Sequence, residues 1–390
     1  MEMELAVLPE FGKQRLLYRA DSYRNLAKTF LDFPTIKKDS MQDRKSYMFY
    51  RQAAENREFM AEQYLDMAEK IAEIAVDSYN YLPTRDKLYR QIAKLLKEEG
   101  IIVKHVYFIE DKNKNCVLEI TMKSVGNEKM PTRDIAALLG IFYEMRFVPS
   151  LQNDYFIEHE FKSFVFVEEP GFCYMSGMSC ITKNGEEVSG DNIHQIDGID
   201  GYTYFMIADG VGSGEKASKS SDRILDIMEK FLLAGYSKEV AIQILNGLLL
   251  QQGDEQAVST LDVLEVDLYR GVCEFCKAGA PQSFWKRGDE VEVVGVKSLP
   301  LGSIGIVEST TSYKKLTDGD YMIMLSDGML EYLEDVEREE RLMEYIASIT
   351  LQNPTQIAHA ILQRCITLCK GAVLDDMTVL VIGFWRNNSY

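Results

Sequence analysis

The stretch that decides the fold is YTYFMIADGVGSGEKA, residues 202–217. An apolar run, Tyr204 to Ala208, stops on Asp209. Gly210, Gly212 and Gly214 then turn the chain, and a segment of helical texture follows. A strand, a tight turn and a helix are predicted, with a carboxylate at the mouth of the turn. That position suits a metal ion at a strand end better than a nucleotide phosphate, which Asp209 would repel. The spacing is also G-x-G-x-G, not the G-x-G-x-x-G of dinucleotide binding, and residues 238–251 read as a second helix where a βαβ unit needs a strand. A phosphate loop fails on the same residues, because Lys216 does not directly follow Gly214 and no Ser or Thr comes next.

Two other places repeat the arrangement. MIMLSDG ends an apolar run on Asp327, ahead of Gly328, and LDDMTVLVIGF opens the last strand with Asp375 and Asp376. Asp191, in VSGDN, follows a turn rich in glycine and charge. A solitary Asp-Gly is an ordinary turn; carboxylates at several strand ends can converge where sheet edges meet. Converging anionic oxygens need a cation, and hard oxygen donors suit Mg²⁺ or Mn²⁺ rather than zinc. A pair of such ions would lower the pKa of a bridging water and clamp phosphoryl oxygens.

Outward from this centre, the texture after residue 170 is one of strands with glycine turns and helices in pairs. Strands are predicted over 172–182, 202–208, 260–267, 271–277, 290–296, 321–325 and 377–384, and helices over 217–233, 238–251 and 354–368. Antiparallel sheets flanked by helices, an α+β design, follow from that pattern. Upstream, Leu82-Pro83-Thr84 and Glu168-Glu169-Pro170-Gly171 mark boundaries. They divide the chain into N-terminal helices (1–82), a small α/β unit (83–169) and a main domain (170–390). In the first part, Leu16, Tyr23, Leu26, Phe30 and Leu31 fall at helical spacing, and a helix over about 41–79 places Met60, Tyr64, Met67, Ile71 and Ile74 in a heptad-like row. That row suits an amphipathic helix packed on its own domain, or a seam for homodimerisation.

The 390 residues carry a formal net charge of −18 and are 46% hydrophobic. A large core is available, and general nucleic-acid binding, which needs clustered Lys and Arg, is excluded. No apolar run approaches the roughly 18–20 residues that span a bilayer, and the acidic start MEMELAVLPE is unlike a signal peptide. Seven scattered cysteines suit a reducing compartment. Cys273 and Cys276 lie three apart on a predicted strand and so point to opposite faces. Cys365 and Cys369 are one helical turn apart, facing the core. The four histidines show no ligand spacing, which disfavours a zinc or Ser/His/Asp hydrolase. Lys216 reads as a solvated residue of a first helical turn, and Trp285 as a partly buried aromatic at a hairpin end.

ADGVGSGEKA, MLSDGMLE and LDDMTVLVI, in that order, resemble the motifs of metal-dependent serine/threonine phosphatases of the protein phosphatase 2C (PPM) type. Within that group they most resemble the stage II sporulation protein E branch. EEVSGDN, the segment from Ser259 to Gly288 and SLPLGS share the same texture. Val211 and Ser213 depart from common residues of the group at positions that do not carry the chemistry. The resemblance implies an α-β-β-α sandwich of two antiparallel sheets, preceded by regulatory helices and a small α/β unit. It implies two ions, Mn²⁺ or Mg²⁺, with Asp209 bridging both and the carbonyl of Gly210 as a backbone ligand. Asp327 and Asp375 would hold one ion and Asp191 the other, largely through water; Asp376 ranks below Asp375. The implied reaction is direct attack of water on phosphoserine or phosphothreonine. The implied partner is a phosphorylated anti-sigma-factor antagonist, whose dephosphorylation activates a sporulation sigma factor. Alternatives are a related phosphatase of a stress partner-switching pathway, or a regulatory scaffold with a degenerate site. The place expected is the cytoplasm, with membrane attachment only through spanning segments preceding this chain. The resemblance also suggests that the N-terminal helices act on the turn at Asp209 and Gly210.

Overall fold

The computed structural model describes residues 10–32, 44–77, 86–110, 115–125, 129–150, 153–198, 201–210, 212–250, 258–295, 298–303, 312–329, 336–369, 371 and 373–387. They fall into two units: Met1–Asp21 with Met67–Pro170, and Ser22–Asp66 with Gly171–Tyr390. Helices α1 (Glu10–Asp32) and α2 (Arg44–Asp77) each give residues to both. No described helix is long and apolar enough to cross a membrane.

Among the described residues, the first unit holds two helices and six strands besides its share of α1 and α2. They are α3 (Asp86–Glu98), β1 (Ile101–Glu110), β2 (Cys116–Ser124), the short β3 (Met130–Pro131), α4 (Thr132–Tyr143), β4 (Phe147–Pro149), β5 (Phe156–Ile157) and β6 (Lys162–Glu168). One antiparallel sheet runs β1-β2-β6-β4, and β3 pairs with β5. Ile92 and Leu96, one turn apart on α3, are fully buried with Leu118, Ile120, Leu139 and Phe166. The helix closes at Gly100, whose φ of +72° is the left-handed conformation glycine adopts without strain.

In the second unit, the chain order is β7 (Phe172–Ile181), β8 (Asp191–Asp197), β9 (Tyr202–Asp209), α5 (Gly214–Leu233), α6 (Lys238–Leu250), β10 (Thr260–Asp267), β11 (Val272–Ala278), β12 (Ser283–Arg287), β13 (Glu290–Val294), β14 (Ser312–Lys315), β15 (Asp320–Leu325), α7 (Val336–Ser348), α8 (Pro354–Leu368) and β16 (Met377–Arg386). Two five-stranded antiparallel sheets result, β14-β11-β10-β9-β8 and β13-β12-β15-β16-β7. Strand alternation supplies three apolar layers. Phe205, Ile207, Leu264, Phe275, Met322, Leu380 and Phe384 lie between the sheets. Met206, Val263 and Cys276 face α5 and α6, while Ile323, Val379 and Val381 face α7 and α8. The result is an α-β-β-α sandwich. Cys273 and Cys276 do lie in different layers, both buried. Trp285 departs from its expectation: it is 2% exposed, stacked 6.4 Å from Phe384 between the sheets. Lys286 beside it is also buried, its ammonium donating to Gly288 O and Ala347 O.

Part of the N-terminal helices belongs to this second core. Phe30 and Tyr64 are buried in the layer that holds Phe231. Their rings stand 5.3 Å apart, and Phe231 meets Tyr64 and Tyr236 edge-on at 6.5 and 5.4 Å. Such pairs contribute about 0.5–1.5 kcal/mol each beyond area burial. Met60 also packs here, but Met67 is exposed, so the heptad-like row is not one buried stripe.

Helix α5 is tied to β8 on the outer face of its sheet. His194 Nδ1 lies 3.2 Å from Glu229 and Nε2 3.5 Å from Asp222. The hydrogen bond to Glu229 holds the imidazole above its ordinary value of 6.5, against the opposing effect of burial. A raised folded value means stability that is complete below 6.5 and is lost as pH rises through the folded value. His194→Gln is therefore expected to cost about 0.5–1 kcal/mol in mildly acidic buffer, with the gap to wild type narrowing at alkaline pH. Urea unfolding at several pH values measures it; a gap that widens with pH would contradict the assignment.

Candidate metal centre

The site is assembled from the same end of both sheets. On the first, Asp191 of β8 stands directly opposite Asp209 of β9, and Thr260 of β10 flanks Asp209 on the other side. Asp209 has the strand parity of Phe205 and Ile207, and Asp191 that of Ile193, so both carboxylates face the layer between the sheets. Directly opposed antiparallel residues have Cβ atoms about 4.5–5.5 Å apart. On the second sheet, β15 and β16 pair Leu325 with Val379, and Ser326 N donates to Thr378 O at 3.0 Å. Asp327 leaves β15 at the end where Asp375 enters β16. A Cβ on Gly328 would lie 2.1 Å from Asp376 O and 3.2 Å from the Asp375 Cβ, so the two backbones touch.

The carboxylates feel one another. Burial, then the charges of Asp327, Asp191, Asp375 and Asp376, push Asp209 up to about 8. Burial pushes Asp191 up to about 7; the Thr378 and Ser326 hydroxyls oppose this, and Asp327 and Asp376 add to it. Those hydroxyls lie near without closing a bond of proper geometry, because both Asp191 oxygens are buried and lack a hydrogen-bond partner. Asp327 is raised by burial and then by Asp375. Four like charges meeting with so little compensation could hold cations, and the donor set, all oxygen, is of the kind that suits Mg²⁺ or Mn²⁺.

The expected residues Asp191, Asp209, Asp327 and Asp375 are thus brought together. Gly210 is buried beside them, where an added Cβ would fall 2.0 Å from Ala217 O in the first turn of α5. Asp376 has a role that its place in the sequence did not reveal. It is 4% exposed and accepts from Lys183 N at 2.8 Å and Gly190 N at 2.6 Å, pinning both ends of the turn that precedes Asp191. Ser221 Oγ donates to Gly190 O at 2.5 Å, and Asn192 Nδ2 to Ser218 O at 2.9 Å, which ties α5 to the same segment. Lys183 extends toward the site, its ammonium 3.8 Å from Asp375 Oδ1. Lys216 is exposed, as expected. Away from the site, the fold does gather one histidine with carboxylates: His194, Asp226 and Glu229 offer ligand atoms within 4.8 Å of one another, on the outer face.

Residues 199–385 match the family model of stage II sporulation protein E (SpoIIE). The chain is 28% identical over 339 residues to stage II sporulation protein E of Bacillus subtilis, covering 86% of this chain and 41% of the relative. It therefore spans about two fifths of the length of the curated relatives it matches. A solved structure of the PP2C phosphatase domain and a fragment of the regulatory domain of the cell fate determinant SpoIIE from Bacillus subtilis superposes with a TM-score of 0.59. That match is 26% identical and covers 87% of this chain and 98% of the other. A second structure, of the phosphatase domain of that SpoIIE alone, is 31% identical, covers 57% of this chain and 96% of the other, and has a TM-score of 0.47. The sandwich is the PP2C-type fold, and residues 199–385 are similar to the stage II sporulation protein E family.

Proposed function

We propose that this chain is a metal-dependent phosphoprotein phosphatase that hydrolyses phosphoserine or phosphothreonine. The observation that carries the reading is Asp191, a carboxylate with both oxygens buried and unpartnered, opposite a second carboxylate whose proton affinity is strongly raised. Buried carboxylates without donors are costly unless a cation joins them. Asp209 would contact both of two Mn²⁺ or Mg²⁺ ions, Gly210 would add its carbonyl, Asp327 and Asp375 would hold one ion, and Asp191 the other. When bound, such a pair supplies a nucleophilic water of lowered pKa and a clamp for phosphoryl oxygens. The protein's own contribution is to hold the carboxylates in place. β8 and β9 set Asp191 against Asp209, the touching backbones at Gly328 set Asp327 against Asp375, and Asp376 fixes the turn before Asp191.

Similarity to the stage II sporulation protein E family supports a phosphorylated anti-sigma-factor antagonist as the substrate protein, with release of a sporulation sigma factor as the outcome. Two copies associating through the N-terminal helices, and a cytoplasmic site of action, belong to the same proposal. Retention of all four carboxylates argues against a degenerate scaffold. The test is release of phosphate from a phosphoserine protein with Mn²⁺ and with chelator. Hydrolysis is expected only with metal; none under either condition, across several phosphoserine substrates, would overturn the reading.

A further inference from the structure

The site just described poses a problem of charge. A phosphate monoester carries nearly two negative charges and must approach four converging carboxylates in a chain of net charge −18. Among the described residues, the only ion pair to any of the four is that of Lys183 with Asp375, at 3.8 Å. That spacing exceeds a hydrogen bond, and the lysine side chain keeps 37% of its surface exposed. The ammonium therefore has donors to spare, and solvent reaches it.

Its backbone, in contrast, is held firmly. Lys183 N donates to the buried Asp376, Lys183 O accepts from Glu186 N at 3.1 Å, and Asn184 N donates to Val373 O at 3.0 Å. Gly185, at φ +97° in open space, closes this turn. One carboxylate, Asp376, thus places the stem of the lysine and the residue before Asp191 together, directly after Asp375 in the chain. A lysine used only to solubilise the surface needs no such anchorage.

We propose that Lys183 receives the phosphoryl oxygens of the substrate at the rim of the carboxylate site. This rests on the phosphatase reading above. The ammonium would leave Asp375 for the incoming dianion, so its contribution is to binding and positioning of the phosphoryl group, whatever protein carries it. A charge-assisted hydrogen bond to phosphate is of the strong class. Lys183→Gln is expected to raise KM for a phosphoserine peptide about tenfold or more, to weaken inhibition by inorganic phosphate by a similar factor, and to leave Mn²⁺ affinity undiminished. Lys183→Arg should restore most of both.

The experiment is steady-state kinetics on the full chain, with Mn²⁺ affinity followed by electron paramagnetic resonance and binding of inorganic phosphate to the Mn²⁺-loaded protein followed by calorimetry. Unchanged KM and unchanged phosphate affinity in Lys183→Gln would overturn the proposal. So would a change that merely tracks lost Mn²⁺ affinity, since the lysine would then only balance Asp375. A wild-type chain that hydrolyses nothing would sink the phosphatase reading, while calorimetry with phosphate would still decide for or against Lys183.

Discussion

Asp209→Asn is expected to abolish hydrolysis and, without metal, to make the protein more stable. The two effects have one cause. Asp209 is the carboxylate on which the others converge, and its proton affinity is raised to about 8 by burial and by four neighbouring Asp residues. For an acid whose folded value lies above its unfolded value of 3.8, the folded state binds more protons. The metal-free protein must then lose stability as pH rises from the unfolded value through the folded one. The asparagine carries no charge and nearly the same shape, so it removes that loss. The thermal midpoint of the metal-free variant should exceed that of wild type at neutral and alkaline pH, by about 2–4 °C for each kcal/mol of repulsion relieved. The gap should close in acid. Added Mn²⁺ should reverse the order, since a ligand that binds only the folded state stabilises it by mass action and the variant has lost the shared ligand. Activity should fall about a thousandfold or more, at the upper end of what losing one preorganised electrostatic group costs. Thermal scans across pH, with chelator and with Mn²⁺, together with phosphate release, measure all three. A variant no more stable than wild type in chelator would show that Asp209 is not held against its neighbours.

Much of this centre was legible because its residues sit at the ends of apolar runs. Asp209, Asp327 and Asp375 each follow or open a strand whose alternation is plain. Asp191 was legible as a residue but its strand was not. β8 reads DNIHQID, with Ile193 and Ile196 as its only apolar members, and its faces are set by an inward carboxylate and an outward histidine. Backbone pairing with β9 along its length, not its own hydropathy, makes it a strand. Helix α7 hid because VEREERLMEYIAS is dominated by its charges, and among its described side chains only Leu342 and Ile346 are fully buried. Trp285 misled because it is flanked by Lys286 and Arg287. Lys286 is itself buried on carbonyl acceptors, and Arg287 pairs with the buried Asp320. The part played by Asp376 depends on two backbone amides about 190 residues earlier in the chain, and nothing local announces such a bond. The small strands β3, β4, β5, β12 and β14 have two to five residues each, too short for a periodicity to declare itself.

Gly210→Ala is expected to disable the site by a different route, leaving every charge in place. Gly210 does not need a left-handed backbone; it needs the absence of a side chain. The β-carbon of an alanine there would fall 2.0 Å from Ala217 O and 2.7 Å from its carbonyl carbon, a backbone contact that no rotamer relieves. Something must move by more than 1 Å, and the neighbours resist. On one side is β9, paired along its whole length with β8 and β10. On the other is α5, bonded through Ser221 and Asn192 to the segment 190–192 and packed through Phe231 against Tyr64. Overpacking of this kind costs about 1–3 kcal/mol and at times more. A displacement of 1 Å in a catalytic group costs on the order of a hundredfold in rate. Gly210→Ala should therefore lose a hundredfold or more in kcat, bind Mn²⁺ more weakly, and still fold. Gly185→Ala is the control: its added Cβ meets nothing, so only the cost of a positive φ applies, about 1 kcal/mol, with Mn²⁺ affinity retained. The contrast separates close approach from glycine flexibility, and it bears on regulation. The α5 turn that blocks a β-carbon at Gly210 belongs to the helix that packs on the N-terminal helices within this unit. A movement of α5 away from Ala217's present position would make room for the alanine. If Gly210→Ala kept wild-type kcat and Mn²⁺ affinity, the tight contact between α5 and the metal turn could not be a feature of the active protein.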